Sequence, residues 1–394
     1  MSHTRERINM VPVESQILNL SASALATLVR SGQISAVEVT DTFLRRIEAH
    51  ASGHAFITTC PEYALRRAAQ NPSGLLAGVP FAVKDMLWTA GIRTTYGSSV
   101  FRDHVPTRTA TAVRALEAAG AILVGKANQH EFAWGVTSQN PHWGTVENPI
   151  RPGRVTGGSS GGNAAALADR LCTIGLGTDT GGSVRIPAAC CDVVGFKPPF
   201  GMVSARGTFP LAPSFDTVGP MARSVRDCAL VYSVLTSRPV PSPRLAGLRL
   251  GVLARTGFED ELSRLGATVE EIRFPEPEHD PTAVFMTECA VTHLSWYPRY
   301  RDQYGPDAQL KWDAAHRITA VEYHRGLAAL RDLRRRTRRE PDVDVFVSPT
   351  LGMEPPPADC WEPDVRVVMA QYTRRFNFLG WPAICDRKPP AGRA

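Results

Sequence analysis

The chain has 394 residues, 43% of them hydrophobic and 21% charged, with a formal net charge of +6. This composition excludes a disordered or fibrous chain and leaves enough apolar material for one large α/β domain or for two or three smaller ones. No run approaches the roughly 18 consecutive apolar residues of a membrane span, and residues 1–20 lack an apolar signal core, so a cytoplasmic protein with no membrane partner is expected. Much of the basicity is local: residues 331–340 (RDLRRRTRRE) hold six Arg against two acids. Without interleaved aromatics or a nucleic-acid module, that run reads as the solvated face of a helix, and no nucleic-acid partner is expected. The eight cysteines form no C-x-x-C pair, so they read as buried reduced thiols, not as metal ligands or disulfides.

In chain order, Ser21 caps a helix over Ala22–Arg30. Ser35 caps a second over Ala36–Ala49, whose Val39, Phe43, Leu44 and Ile47 share one face. Val79–Val83 reads as a buried strand, Thr109–Ala119 as a helix and Ala121–Val124 as the next strand. Asn163–Asp169 is an Ala-rich helical patch and Leu171–Leu176 a short apolar run. Arg223–Thr236 is helical, and RPVPSPR (238–244) marks a loop or subdomain boundary. Beyond it, Leu248–Leu253 and Thr268–Ile272 read as strands, residues 281–300 and 314–339 as helical, and Val343–Val347 as a strand. The last ten residues, CDRKPPAGRA, read as a loose tail. Alternating strands and helices favour an α/β layered fold.

Only five of the 44 basic residues are lysines: Lys84, Lys126, Lys197, Lys311 and Lys388. Arg serves wherever a surface charge suffices, so a buried Lys stands out, because desolvation lowers its pKa and frees it to act as a base. Lys84, in GVPFAVKDMLW, ends an apolar strand; its structural alternative is an ion pair with the adjacent Asp85. Two glycine-rich turns follow, GGSSGG (157–162) and TDTGGSVRIP (178–187), each able to aim backbone N–H groups at one point beside a serine. Neither is a phosphate-binding loop, and GGSSGG lacks the preceding strand of a nucleophile elbow. His130-Glu131 opens like a zincin, but Trp134 stands where the second His is required. Two serines on glycine turns and one lysine in an apolar setting point to acyl transfer, with a neutral lysine as the ultimate base.

These blocks carry a family likeness. GVPFAVKD (78–85), GKANQHEFAWGVTSQN (125–140), GGSSGGNAAALA (157–168), GLGTDTGGSVRIPAACCDVVGFKP (175–198) and DTVGPMARSVRDCA (216–229) closely resemble the amidase signature family of Ser–Ser–Lys amide hydrolases. The Lys-to-Ser and Ser-to-Ser spacings of 75 and 24 match. Within the family, HEFAWGVTSQN and GTDTGGSVRIPAA look most like bacterial arylacetamide-type amidases such as mandelamide and indoleacetamide hydrolases.

The resemblance implies an α/β/α fold around a large mixed twisted sheet, with an N-terminal extension over residues 1–20 and an amidase domain over 21–394. Within that domain it implies a catalytic core over about 70–236, a helical insertion over about 275–340 and a shortened C-terminal end over 341–394. It further implies that Ser183 is the nucleophile, that Ser159, after a cis peptide bond to Gly158, bridges Ser183 to Lys84, and that Lys84 is the base. The N–H groups of Thr180, Gly181, Gly182 and Ser183 would form the oxyanion hole. Ser160 would support the relay, and Asp179 and Arg185 would pair and brace the turn. No cofactor or metal is implied; the partner is a small-molecule amide, and a homodimer is compatible.

Family members continue past G-x-P-A-I into a further core strand and a closing helix, whereas here GWPAI (380–384) is followed by ten residues. A truncated, inactive member is therefore one alternative reading. The other is the A subunit of a glutamyl-tRNA amidotransferase, against which Ala370 stands where an acidic residue for glutamine is expected. His293, Trp296, Tyr297, Trp312 and Tyr323 could line an acyl pocket, but at helical spacing they read first as core.

Overall fold

The computed structural model describes residues 14–241, 245–338 and 341–386. It opens with α1 (Glu14–Asn19), α2 (Ala22–Arg30) and α3 (Ala36–Ala49). Ser21 accepts the Ala24 N–H, and Ser35 and Glu38 close a reciprocal capping box, so donors that a helix start leaves orphaned are satisfied. Val39, Phe43 and Ile47 fall four apart on one face of α3 and are buried. Ile17 and Leu18 of α1 are buried too, so packing begins within the segment predicted as an extension.

The body alternates β1 (Phe56–Thr59), α4 (Pro61–Ala68), β2 (Pro80–Lys84), α5 (Thr111–Ala118), β3 (Ile122–Ala127), α6 (Gly161–Ala168) and β4 (Ile174–Asp179). It continues through α7 (Arg185–Cys190), β5 (Val194–Lys197), β6 (Thr217–Ala222) and α8 (Val225–Thr236). Then come β7 (Arg249–Val252), α9 (Glu259–Arg264), β8 (Thr268–Glu271), α10 (Thr282–Thr292), α11 (Tyr297–Tyr300), α12 (Pro306–Ala315) and α13 (Ala320–Arg336). The described chain ends with β9 (Val345–Val347), α14 (Glu362–Met369), α15 (Arg374–Leu379) and β10 (Ala383–Cys385). No helix of the described residues is long and apolar enough to cross a membrane.

Seven strands form one mixed sheet in the order β1-β3-β2-β4-β6-β5-β10. The central pairs β3/β2 and β2/β4 are parallel, and the remaining pairs are antiparallel. Side chains alternate across it: Phe81, Val83 and Leu123 enter one core with Leu25 of α2, Val113 of α5 and Val231 of α8. Ala82, Ile122 and Val124 enter a second with Ala64 of α4 and Ala164–Leu167 of α6. Strands buried on both faces need near-continuous apolar runs, which is why VPFAV and AILV are legible as strands. A second, parallel sheet, β8-β7-β9, follows residue 241.

The strand after Leu171 begins only at Ile174 and runs on through polar Thr178 and Asp179, because parallel pairing with β2 and antiparallel pairing with β6 hold it. The stretch predicted as helical over 314–339 is two helices, broken where Thr319 and Glu322 form a capping box for α13. Strands β1, β5, β6 and β10, too short or Gly/Pro-interrupted to show periodicity, are not foreseen. Cys385, assigned to the tail, sits in β10, while 387–394 and residues 242–244 of the Pro-rich boundary lie outside the described residues. Of the five predicted pocket aromatics, His293, Tyr297 and Trp312 are core; Trp296 and Tyr323 pack half-buried against it. Burial pushes His293 down to about 3, so it sits there neutral, with Nδ1 2.8 Å from the Tyr304 hydroxyl.

Helix α6 approaches the sheet at Gly162. A Cβ there would meet the Asn128 carbonyl oxygen at 2.3 Å and the Ala55 carbonyl oxygen at 2.6 Å. Both are backbone atoms and cannot swing aside. Gly162→Ala should therefore lower stability by about 1–3 kcal/mol, read as a lower midpoint in urea denaturation.

Candidate active site

Strand alternation separates the two residues of the Lys84–Asp85 alternative. Asp85 turns away to accept the Thr95 N–H and hydroxyl, each at 2.7 Å, and faces Lys126 at 3.7 Å. Lys84 is completely buried at the end of β2, donating to Ser159 Oγ at 2.7 Å and to Thr178 Oγ1 at 2.8 Å. Neither partner is charged. Desolvation pulls the Lys84 amine down to about 7, against the opposing pull of Asp179 and Asp216. Lys126, Lys197 and Lys311 are buried as well, while Lys388 lies outside the described residues.

Ser159 follows a cis peptide bond to Gly158. Its carbonyl accepts the His130 N–H at 3.1 Å and the Ser138 hydroxyl at 3.3 Å. Ser160 donates its N–H to the Ser183 carbonyl at 3.1 Å and its hydroxyl to the Thr178 carbonyl at 3.3 Å, so the two glycine turns are stitched together through Ser160. Ser183, 8% exposed at the head of the turn before α7, makes no side-chain hydrogen bond to another described residue.

Below that turn, Arg185 binds Asp179 through two nitrogens, at 2.9 and 3.0 Å. Burial works against the Asp179 charge, but Arg185, with Lys197 and Asn377, outweighs it and holds the carboxyl well below the usual range. Asn377 Nδ2 donates to Asp179 Oδ1 at 2.8 Å, and the Thr373 hydroxyl donates to the Gly181 carbonyl at 2.7 Å. Asp179 also accepts the N–H groups of Gly182 at 2.9 Å and Val184 at 3.3 Å. The Gly182 amide is thus committed to the brace. Of the four N–H groups predicted for an oxyanion hole, those of Thr180, Gly181 and Ser183 have no protein acceptor among the described residues. The Thr180 hydroxyl reaches Asp216 at 2.6 Å.

Sequence reasoning misses Thr178, Thr373, Asn377 and Asp216. Thr178 and Asp216 lie inside family-like blocks, where a polar residue at the end of an apolar strand is a usable signal. Asn377 belongs to the block 376–384, where the family likeness resumes weakly. Thr373 carries no sequence signal.

The family model described as Amidase matches residues 38–243. The chain belongs to the amidase family. It is, with its family, an amide hydrolase. This amidase is 34% identical to "Putative amidase AmiD" of Mycobacterium tuberculosis, over 94% of this chain and 88% of that one. It is 40% identical to the A-type polypeptide of glutamyl-tRNA(Gln) amidotransferase from Thermosynechococcus vestitus, over 61% of this chain and 58% of that one. A crystal structure of an amidase superposes with a TM-score of 0.85 at 30% identity, over 93% and 91% of the two chains. The amidase fold, a seven-stranded mixed sheet with helices around it, is the one described above.

The nucleophile turn of the amidase has a closed side and an open one. Gly182 has φ of +131°, and a Cβ there would meet Thr373 Oγ1 at 2.3 Å and Ile186 Cδ1 at 2.8 Å, whereas a Cβ on Gly181 meets nothing within 4 Å. Gly182→Ala should lose about 1–3 kcal/mol of stability or more, while Gly181→Ala melts close to the parent. Differential scanning calorimetry of the pair checks this, and equal melting points would refute the two-sided description.

Proposed function

We propose that this amidase hydrolyses a small carboxamide to a carboxylic acid and ammonia or an amine, through an acyl-enzyme on Ser183. The observation that carries the reading is the fully buried Lys84 amine, 2.7 Å from Ser159 Oγ and lowered to about 7. Neutral Lys84 takes the Ser159 proton as Ser159 takes that of Ser183. Ser183 Oγ then bonds the carbonyl carbon, and the C=O pair moves onto oxygen, facing the Thr180, Gly181 and Ser183 N–H groups. Collapse of this adduct breaks the C–N bond, with the proton returned from Lys84 through Ser159 to the leaving nitrogen. Water then repeats the addition on the ester, releasing the acid and restoring Ser183. The Ser159–Ser183 contact tightens when substrate fills the turn, as catalytic hydrogen bonds commonly do.

A second reading rests on the 40% identity to the amidotransferase relative. It predicts glutaminase activity and a co-purifying partner chain. The buried, apolar Ala370 weighs against it, since it offers no charge to a glutamine substrate.

Ammonia release from a panel of aryl and alkyl carboxamides tests the proposal. Ser183→Ala should lower turnover on the order of 10⁴-fold or more, and Lys84→Met by about 10²–10⁴-fold. Because only the neutral amine accepts a proton, kcat should be low below the Lys84 value, rise through about 7 and level off above it. A flat profile across that range would remove Lys84 as the base.

A further inference from the structure

A buried cluster of ionisable groups lies outside the proton relay. On α12, Asp307 and Lys311 stand one helical turn apart and pair at 2.7 Å. Asp307 Oδ2 lies 2.7 Å from His130 Nε2, and Lys311 lies 3.4 Å from Glu362 in the first turn of α14. His130, Lys311 and Glu362 are at most 2% exposed, and Asp307 8%. Desolvation alone would raise the Asp307 carboxyl, but His130 and Lys311 together outweigh it and hold it well below the usual range.

All of these groups bear on one loop, 130–138. Lys311 donates to the Trp134 carbonyl, and Glu362 Oε1 accepts the Val136 N–H at 3.1 Å. The His130 ring covers Gly135 so closely that a Cβ there would fall 2.3 Å from it. The loop needs holding: Phe132, Ala133 and Ser138 have φ of +49°, +63° and +60°, a region that residues with a Cβ occupy only when their surroundings impose it. The same loop forms the bed of the Gly158–Ser159 peptide. A Cβ on Gly158 would meet the Thr137 nitrogen at 2.9 Å and the Gly135 oxygen at 3.0 Å, and the Ser159 carbonyl is bound by His130 N and Ser138 Oγ.

A buried ion cluster is weak evidence for stability, because apolar residues of the same volume often stabilise as well or better. Charges converging on the backbone of one loop do something apolar residues cannot: they fix its carbonyl and N–H directions. We propose that Asp307, Lys311 and Glu362 are positioning residues for Ser159, acting through the loop 130–138 that holds the Ser159 carbonyl. This rests on the reading of Ser159 as the relay hydroxyl. It makes the helical region after residue 281, remote in sequence, a determinant of the proton relay.

The test uses the full chain and a fluorophosphonate probe that labels an activated serine. Labelling is followed against probe concentration to separate the maximal rate, kinact, from the half-saturating concentration, KI. Asp307→Asn should lower kinact on the order of tenfold or more with KI within about twofold, since a displaced relay slows chemistry without closing the probe site. Glu362→Gln keeps an oxygen for the Val136 N–H while removing the charge facing Lys311. It should lower kinact by a smaller factor, and it decides alone if Asp307→Asn does not fold. Unchanged kinact in folded variants, or a loss explained by the unfolded fraction, overturns the proposal. If the wild type takes no label, the functional reading falls instead, and amide hydrogen exchange judges the clamp. Exchange in Glu362→Gln should then speed up over 130–138 and not elsewhere; an unchanged pattern overturns it.

Discussion

The structure turns on one amine kept out of water without a carboxylate against it. A lysine buried at a strand end ordinarily recruits an acid, and Lys126, one strand away, has done so with Asp85. Lys84 instead meets two hydroxyls, those of Ser159 and Thr178. Hydroxyls satisfy its hydrogen bonds without stabilising its charge, so desolvation prevails and the amine can release its proton near neutrality. The nearest acids are restrained. Asp179 spends its charge on the two-pronged contact with Arg185, and burial raises the Asp216 carboxyl while the Thr180 hydroxyl and two backbone N–H groups hold it. Arg185 therefore acts on the lysine as well as on the turn, because an unpartnered Asp179 would favour the ammonium form.

The same brace explains why three amides, not four, stay available beside Ser183. Asp179 lies at the end of β4, three residues before Gly182, and a carboxylate there folds the chain back on itself by accepting Gly182 N and Val184 N. The turn is tightened at the expense of one donor. Thr373 and Asn377 close it from the far side through Gly181 O and Asp179. The nucleophile turn is thus assembled from β4, α7 and the segment leading into α15, which are far apart in sequence.

What was legible in the chain follows from where the information is local. Apolar runs gave β2 and β3, Ser21 and Ser35 gave the first two long helices, and scarcity of lysine singled out Lys84. The family-like blocks brought Ser159, Ser160, Asp179, Ser183 and Arg185 into one region, which the geometry then resolves atom by atom. Illegible were contacts made only by tertiary folding: Thr178 beneath Lys84, Thr373 behind Gly181, and the group formed by His130, Asp307, Lys311 and Glu362. His130 drew notice as half of a zinc motif, and its partner proved to be a carboxylate on a helix 177 residues away. Short edge strands such as β10 show no period because three residues cannot.

The largest groove, about 1520 Å³, is not where these observations place the chemistry. It runs past β9 and β10 and is lined by Arg185 and Thr373, but not by Ser183 or Gly181. Arg185 and Thr373 are the residues that back the nucleophile turn, so the groove lies on its closed side, where any side chain at 182 would strike Thr373. An amide carbonyl must reach Ser183 Oγ and the free N–H groups together. The open side is the one where a Cβ on Gly181 meets nothing, and a substrate therefore approaches there, across the turn from the groove. Volume alone would choose the wrong face; the direction in which the backbone leaves its donors unpaired chooses the other.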